Sequence, residues 1–137
     1  MKVNPYLTFD GRCEAAFKFY ERTLGGKIQV LITAEGTPMA DQCPPDWRDK
    51  IMHGRLTLGD QVLMGSDATP DRYEAPKSFS LCLSIPEPGE AERVFHALAA
   101  GGTVQMPIAE TFWAVRFGVL VDQFGIPWMI NCEKAQP

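Results

Sequence analysis

Histidine is scarce in this chain of 137 residues, which contains only two, His53 and His96. A metal centre built from several histidines therefore cannot form within one copy of the chain. Cysteines are few as well, and their wide spacing includes no CxxC pair, which excludes the usual zinc and disulfide frameworks and favours the reduced thiols of a cytoplasmic protein. The four are Cys13, Cys43, Cys82 and Cys132.

Long apolar runs and clusters of one charge are missing too. No run of about 18 apolar residues is present, which excludes a helical membrane span. The opening segment, MKVNPYLTFDG, has one lysine followed by polar and turn residues, so a secretory signal is not expected. With 13 Lys and Arg against 17 Asp and Glu, a net charge of -4 and no basic cluster, a nucleic-acid surface is not expected either.

A strand, a helix and a second strand are predicted in the first part of the chain. Residues 2–9 alternate between apolar and polar types, which is typical of a strand with one buried face. Residues 12–24 carry apolar side chains at helical spacing, and a Gly-Gly pair at 25–26 ends that helix. A strand is predicted to follow at 27–33.

The same order of elements recurs in the second part of the chain. A strand is predicted at 79–85, a helix at 90–100, a Gly-Gly pair ends the helix at 101–102, and a strand follows at 103–106. The two Gly-Gly pairs lie 76 residues apart. This recurrence favours an internal duplication.

Each half is completed by further strands. Residues 53–58 and 61–67 are predicted to form a hairpin with a tight Gly-Asp turn, and the last two strands are predicted at 111–121 and 127–133. The segment 34–50 is a loop without a counterpart in the second half. Loops of that length inside a compact domain are usually functional or mobile.

Several strings in the chain resemble one family. They are FYERTLGGKI at 19–28, IMHGRLTLGDQVLMGSD at 51–67 and DQFGIPWMIN at 122–131. Together with the paired modules, they are similar to PhnB-like proteins of the vicinal-oxygen-chelate superfamily. That superfamily includes glyoxalase I, extradiol dioxygenases and bleomycin- or fosfomycin-resistance proteins.

The resemblance implies a fold and an assembly. It implies one α+β domain over 1–137, in which two tandem βαβββ modules form a curved mixed sheet around a cavity with the helices outside. Module one would span 1–67 and module two 79–133, joined by a connecting loop at 68–78. It also implies a homodimer.

The superfamily's chemistry implies a divalent metal held by His, Glu and sometimes Gln side chains from the concave faces of the sheets. Matching the strings residue by residue places these ligand positions at Asn4, Met64, Ser80 and Met129. None of the four is His or Glu, and a thioether favours soft ions. The sequence therefore predicts that the standard metal site is missing and that no cofactor is bound, with a divalent metal at a non-standard site as the open alternative.

Alternation along the strands predicts which side chains face the cavity. The strongly apolar faces, such as Leu7 with Phe9 and Trp128 with Ile130, should pack beneath the helices, and the opposite faces should be free for a ligand. Together with two candidates from the strand at 111–121, the predicted ligand-binding residues are Asn4, Tyr6, His53, Arg55, Met64, Ser80, Trp113, Arg116, Met129 and Asn131.

Three basic side chains among them could act on a ligand. His53 could serve as an acid, a base or a lone metal ligand. Because no orienting partner can be assigned to it, a hydrogen-bonded histidine that shapes the cavity or a dimer contact is the favoured interpretation. Arg55 and Arg116 could each clamp a carboxylate or phosphonate, since a guanidinium binds such groups with two parallel hydrogen bonds. The alternative for either arginine is a salt bridge.

The remaining candidates lie around the string ETFW at 110–113 and on two strands. Trp113 could be a flat wall for a ligand or an ordinary core residue, and Glu110 could be a general base or a solvated carboxylate. Asp67 is predicted to cap the turn that follows its strand. Cys82 is predicted to be a small inert side chain on the cavity face.

Methyl transfer is not expected, although PhnB-like sequences have carried a methyltransferase label by family association. The chain has no GxGxxG, GxxxxGK[ST] or GxSxG motif. Two predicted helices are also too few for a doubly wound nucleotide-binding sheet.

Three functions remain open. The first is a dimeric, metal-free protein that binds a small organic molecule, as the resistance proteins of the superfamily do. The second is a lyase or isomerase of glyoxalase type that uses a non-standard site around His53 and Glu110. The third is a structural or interaction role through the dimer surface.

Overall fold

Two four-stranded mixed sheets, each packed against one helix, form the computed structural model, which describes residues 1–135. The first unit spans Met1–Glu74, and the second begins at Ala75. Neither helix in the described residues combines the length and the apolar character that crossing a bilayer requires.

The first unit has the predicted βαβββ order. Strand β1 runs parallel to β4, and the other neighbours in the sheet order β1-β4-β3-β2 are antiparallel. Two short 3₁₀ turns, Pro38–Gln42 and Pro45–Trp47, lie in the loop between β2 and β3. The elements are β1 (Tyr6–Phe9), α1 (Cys13–Leu24), β2 (Lys27–Thr33), β3 (Ile51–Leu58) and β4 (Gln61–Asp67).

The second unit repeats this order and topology. Strand β5 runs parallel to β8, and the sheet order β5-β8-β7-β6 matches that of the first unit strand for strand. The predicted pair of tandem modules is therefore confirmed. The elements are β5 (Leu81–Ser84), α2 (Pro88–Ala99), β6 (Thr103–Ala109), β7 (Ala114–Val121) and β8 (Pro127–Glu133).

The two Gly-Gly pairs share a glycine with positive φ and a glycine in close contact with a neighbouring strand. Gly25 ends α1 with a φ of 76°, which L residues with a side chain rarely adopt, and its N–H donates to the carbonyl of Glu21. Its neighbour Gly26 is needed for close approach, because a Cβ there would lie 2.7 Å from the carbonyl oxygen of Thr57. After α2 the cap differs, because Ala100 is extended and Gly102 N–H donates to the Ala99 carbonyl at 2.9 Å, but Gly101 again has a φ of 76° and Gly102 again lies against the backbone of β7.

The helix-facing side of each sheet carries the core. In the first unit α1 buries Cys13, Ala16, Phe17 and Tyr20, the residues whose spacing predicted the helix. In the second unit α2 buries Ala91, Val94, Phe95 and Leu98 in the same way. The strand residues expected beneath the helices are also buried: they include Leu7, Phe9, Leu81, Trp128 and Ile130.

Three predicted strands are shorter than expected. The ladder of β1 begins only at Tyr6, so Asn4 precedes the strand. Strand β5 begins at Leu81, where pairing with Trp128 starts, which leaves Phe79 58% exposed outside the ladder. Strand β7 begins at Ala114 because the predicted start of the strand folds into a turn. In this turn Thr111 N–H donates to the carbonyl of Ala114 at 3.0 Å, and Ala114 N–H donates to the side-chain oxygen Oγ1 of Thr111, also at 3.0 Å.

Candidate functional site

Each sheet has one face beneath its helix and one open face. In the first unit Leu7 and Leu63 are buried on the helix side of the sheet. Because successive strand residues alternate between the two faces, the residues next to them in each strand lie on the open face. One row of this open face crosses the sheet through paired residues, with Met64 opposite both Tyr6 and Arg55. We call this surface the first open face.

A tyrosine–histidine pair lies on the first open face. The hydroxyl of Tyr6 is 3.4 Å from Nδ1 of His53, and the two rings are stacked at an interplanar angle of 25° with centroids 6.0 Å apart. Tyr6 is on β1 and His53 on β3, so the two side chains meet across the intervening strand β4. The pair provides His53 with an orienting partner, which the sequence did not identify.

Arg55 lies on the same face beside this pair. Its side chain is exposed, and no acidic residue within 1–135 forms an ion pair with it. A guanidinium in this state is free to bind a carboxylate, phosphate or phosphonate group.

The second unit has an equivalent open face, which we call the second open face. Met129 is opposite Cys82 on one side and Val119 on the other, which is the arrangement of Met64 between Tyr6 and Arg55 in the first unit. The two methionines at aligned metal-ligand positions therefore occupy equivalent places in the two units. In the second unit a valine replaces the arginine, which makes this face less polar.

Asn131 is the unusual residue of the second open face. It is paired in register with Ser84 and with Phe117, and its side-chain oxygen Oδ1 is buried without a hydrogen-bond partner among the described residues. A buried amide oxygen without a donor is rare in folded proteins, because leaving it unsatisfied costs about 1–3 kcal/mol.

An aromatic cluster borders Asn131. Phe117 lies directly opposite Asn131 in the sheet, and the ring of Trp113 packs edge-on against Phe117 with centroids 5.3 Å apart. Trp113 also contacts Phe112 at 4.8 Å and remains 45% exposed. Ordinary core packing, the alternative for Trp113, is therefore not what the structure shows.

A cavity of about 570 Å³ lies in the second unit. Its walls include Ser80 and Met129, two of the four aligned metal-ligand positions, together with Phe79 and Val119. This volume is within the range of small-molecule sites.

Comparison with known proteins places the chain in a family. A family model described as 3-demethylubiquinone-9 3-methyltransferase matches residues 1–131. The PhnB protein from Bacillus cereus, whose solved structure carries the same description, is 25% identical, with 96% of this chain and 99% of that chain covered and a TM-score of 0.83. The chain belongs to this PhnB-like family.

Further relatives of this PhnB-like protein agree. Protein YjdN of Escherichia coli (strain K12) is 38% identical over 147 residues, with 100% of this chain and 99% of that protein covered. The crystal structure of protein PA1353 from Pseudomonas aeruginosa is 46% identical over 98% of this chain and 99% of that chain, with a TM-score of 0.89. A glyoxylase/bleomycin resistance protein/dioxygenase domain from Frankia sp. EAN1pec shares the fold, with 13% identity over 98% of both chains and a TM-score of 0.67.

The superfamily's divalent metal does not fit the donors of this PhnB-like chain. The aligned positions carry one amide, one hydroxyl and two thioethers, which are poor ligands for an oxygen-chelating metal. Within residues 1–135, no group of three or more His, Cys, Asp or Glu side chains is arranged to hold a metal ion. The other histidine, His96, is exposed on α2, where its Nε2 lies 3.2 Å from a carboxylate oxygen of Glu92.

Two candidates of the second unit are engaged in ion pairs. Arg116 lies on the helix side of β7, where its Nε donates to Glu92 on α2 at 2.9 Å and its Nη1 donates to the Val115 carbonyl at 2.7 Å. Arg116 thus forms the salt bridge that was the alternative for it, and its role in holding an anionic ligand stays a prediction. Glu110 is exposed and lies 3.4 Å from Nζ of Lys134, a loose surface contact.

Cys82 is exposed on the second open face rather than packed as a filler. Partial burial of the thiol and the charge of Glu133 both raise its pKa. The thiol is therefore protonated and weakly nucleophilic at neutral pH, which agrees with the prediction that it is inert.

Asp67 was predicted to cap the turn after its strand, but its carboxylate instead binds backbone groups of other segments. Its Oδ1 accepts the backbone N–H groups of Gly11 and Cys13 at the start of α1, at 3.1 and 2.9 Å, and its Oδ2 accepts the N–H of Ile51 at 2.9 Å. The carboxylate thus joins β4, α1 and β3. The sequence did not indicate this because the donors lie 16, 54 and 56 residues away.

Proposed function

We propose that this PhnB-like protein binds a small organic molecule at the open faces of its sheets, without the standard metal centre of the superfamily. The observation that carries the proposal is the buried, unpartnered Oδ1 of Asn131 on the second open face. A ligand that donates an N–H or O–H to this oxygen would remove the cost of leaving it unsatisfied.

The neighbours of Asn131 favour a ligand with a flat or apolar body. Phe117 and Trp113 present aromatic surface on one side, and Met129 lies two residues along the same strand face. Methionine adapts its shape to different ligands, and an aromatic wall suits a planar one. The shared face thus combines apolar walls with one polar anchor, the usual composition of a small-molecule site.

The anchor can be tested with Asn131→Leu. In a thermal-shift screen of phenols, anilines and aromatic acids, we expect compounds that stabilise the wild type to have no effect on this variant. A compound at 100 times its dissociation constant stabilises the wild type by about 2.7 kcal/mol. We expect Asn131→Leu without ligand to be at least as stable as the wild type, because the unsatisfied oxygen is gone.

Gln61→Leu is the matched control, since Gln61 is an exposed amide at the start of β4 in the other unit. It should respond to the same compounds as the wild type. The proposal fails if Asn131→Leu binds them unchanged. A loss of stability of about 1 kcal/mol or more in Asn131→Leu would instead assign the amide a role in folding.

The Tyr6–His53 pair supports a second candidate, an acid/base lyase or isomerase of glyoxalase type. When Nδ1–H of His53 donates to the Tyr6 oxygen, Nε2 is left as an acceptor that can remove a proton from a ligand. Arg55 on the same face would hold an anionic group of that substrate. Glu110 is a weaker partner in this scheme because it is exposed and paired with Lys134.

Elemental analysis combined with His53→Ala separates the two candidates. If the metal-free binding function is right, dialysed protein holds no stoichiometric Ni, Zn, Mn or Fe, and His53→Ala still binds the compounds that depend on Asn131. Tyr6→Phe, which keeps the ring but removes the hydroxyl, should behave like His53→Ala. Stoichiometric metal together with an activity that disappears in His53→Ala would overturn the metal-free proposal in favour of the enzyme.

Methyl transfer, which the family description names, is not proposed for this chain. Each unit has a four-stranded mixed sheet with one helix, whereas nucleotide-type cofactors are usually bound by a doubly wound parallel sheet with helices on both faces. The homodimer and the cytoplasmic location implied by the resemblance and the free cysteines stay predictions.

A further inference from the structure

We infer that the first unit carries a separate ligand site, a cavity beside the loop at 34–50 that takes an apolar molecule with a positively charged group. The cavity has a volume of about 870 Å³ and lies between that loop and the segment 67–72 after β4. Of the described residues, those of the first open face, Tyr6, His53, Arg55 and Met64, are not among its walls. The site is therefore independent of the proposed function.

The loop that forms one wall is held in place by its own hydrogen bonds. Glu35 N–H donates to the carbonyl of Arg48 at 3.0 Å, and the Arg48 guanidinium donates through Nε to the carbonyl of Ala40 at 3.1 Å. The hydroxyl of Thr37 accepts the N–H of Met39 at the first 3₁₀ turn. These bonds close the loop on itself, so the wall exists without a ligand.

The opposite wall is anchored by Asp67. This residue lines the cavity, and its carboxylate already accepts three backbone N–H groups, so it contributes charge rather than a free hydrogen-bonding site. Ala68 continues this wall, and its N–H donates to the carbonyl of Phe9 at 2.8 Å. Both walls are thus built from hydrogen-bonded backbone.

The interior surface is mainly apolar and can adapt to its contents. Met39, Trp47 and Met52 line it, and thioether side chains change shape at low cost. The Trp47 ring is positioned by Gly11, where a Cβ would lie 3.1 Å from the ring, and by Lys50, whose Nζ is 6.0 Å from the ring centroid. A cavity of this size and composition fits a small organic molecule.

The charges around the cavity favour a cation. Three aspartates, Asp46, Asp67 and Asp71, are among the lining residues, against one arginine, Arg72. The hydroxyl of Thr69 donates to Asp71 at 2.5 Å, and this bond, the backbone and the neighbouring arginine lower the pKa of Asp71. The Asp71 carboxylate is therefore charged at neutral pH, and the lining residues together have a negative formal charge, which favours a cation.

Probes that share one apolar body but differ in charge test the site. We would titrate isotope-labelled full-length protein with 4-phenylbutylamine, 4-phenylbutanol and 4-phenylbutyrate at low salt and follow the backbone and indole N–H signals. The expected result is that the amine shifts signals of 34–50 and 67–72 and of the Trp47 indole. The alcohol should bind more weakly and the acid weakest of the three.

Charge variants identify the groups responsible. Asp46→Asn and Asp71→Asn should each weaken amine binding roughly two- to fivefold, as expected for exposed ion pairs. Asp41→Asn is the matched control, because Asp41 is exposed in the same loop but does not line the cavity. It should leave the affinity unchanged.

Two results would overturn the inference. One is that the amine shifts no signals in these two segments, or binds only where Asn131→Leu removes it. The other is that the acid binds as well as the amine or better, which would assign the cavity to anions held by Arg72.

Discussion

Replacing Asp122 with alanine is expected to lower the free energy of unfolding by about 3–5 kcal/mol, one of the two largest effects in the chain. The buried carboxylate accepts the backbone N–H groups of Phe124 and Ile126 through Oδ1, at 2.8 and 3.0 Å, and the indole N–H of Trp128 through Oδ2 at 2.9 Å. Asp122→Ala leaves three donors without this acceptor, two of them in the turn before β8. Urea unfolding measures the loss.

A graded series distinguishes this cause from a general loss of charge. Asp122→Asn keeps one acceptor oxygen and should lose about half as much stability, because its amide cannot satisfy both the turn and the indole. Asp60→Ala, in the exposed turn between β3 and β4, should change stability by less than about 0.5 kcal/mol. Equal stability of Asp122→Ala and Asp60→Ala would show that the three hydrogen bonds contribute nothing.

Replacing Asp67 with alanine is expected to destabilise the first unit by about 2–4 kcal/mol. The substitution removes the acceptor of three backbone N–H groups, two at the start of α1 and one at the first residue of β3. Amide exchange at Cys13 and Ile51 should accelerate more than exchange in the middle of α1. Hydrogen-exchange NMR gives these rates residue by residue.

Asp67→Asn and Asp49→Ala complete the test of this residue. The amide retains one oxygen and should recover part of the stability, whereas Asp49 is exposed in the adjoining loop and should be neutral on substitution. If Asp67→Ala unfolds at the same urea concentration as Asp49→Ala, the carboxylate does not hold these elements together.

The positions of the elements followed closely from local patterns. Strands β2, β4 and β8 have the predicted ends, and the core positions of both helices were those with helical spacing. The predicted strand ends were wrong where a side-chain hydrogen bond or the pairing register set the boundary instead, as at the turn closed by Thr111 before β7. Periodicity describes what a segment prefers, and it does not report where its pairing partner begins.

The orientation of β7 could not be read from its sequence. Val115, Phe117, Val119 and Val121 form the more apolar alternate set, yet they lie on the open side. The helix side instead holds Gly118, where a Cβ would lie 2.5 Å from the nearest atom of the Phe95 ring. The packing of one large helix side chain therefore decides the face, and it carries Arg116 to the helix side with it.

By itself, the sequence determined the duplicated βαβββ order and the helix ends at the Gly-Gly pairs. It also determined that the aligned metal positions lack histidine and carboxylate donors. These features depend only on local spacing and residue type. Only the tertiary structure decided that Tyr6 meets His53, that Asn131 is left without a donor and that the Asp67 and Asp122 carboxylates organise their units. Tyr6 and His53, for example, are 47 residues apart in the chain and come together only because β4 pairs with both of their strands. With so few histidines, the donors of this chain do not fit the divalent metal of the superfamily. The pairing of strands creates the surfaces on which a ligand could be held.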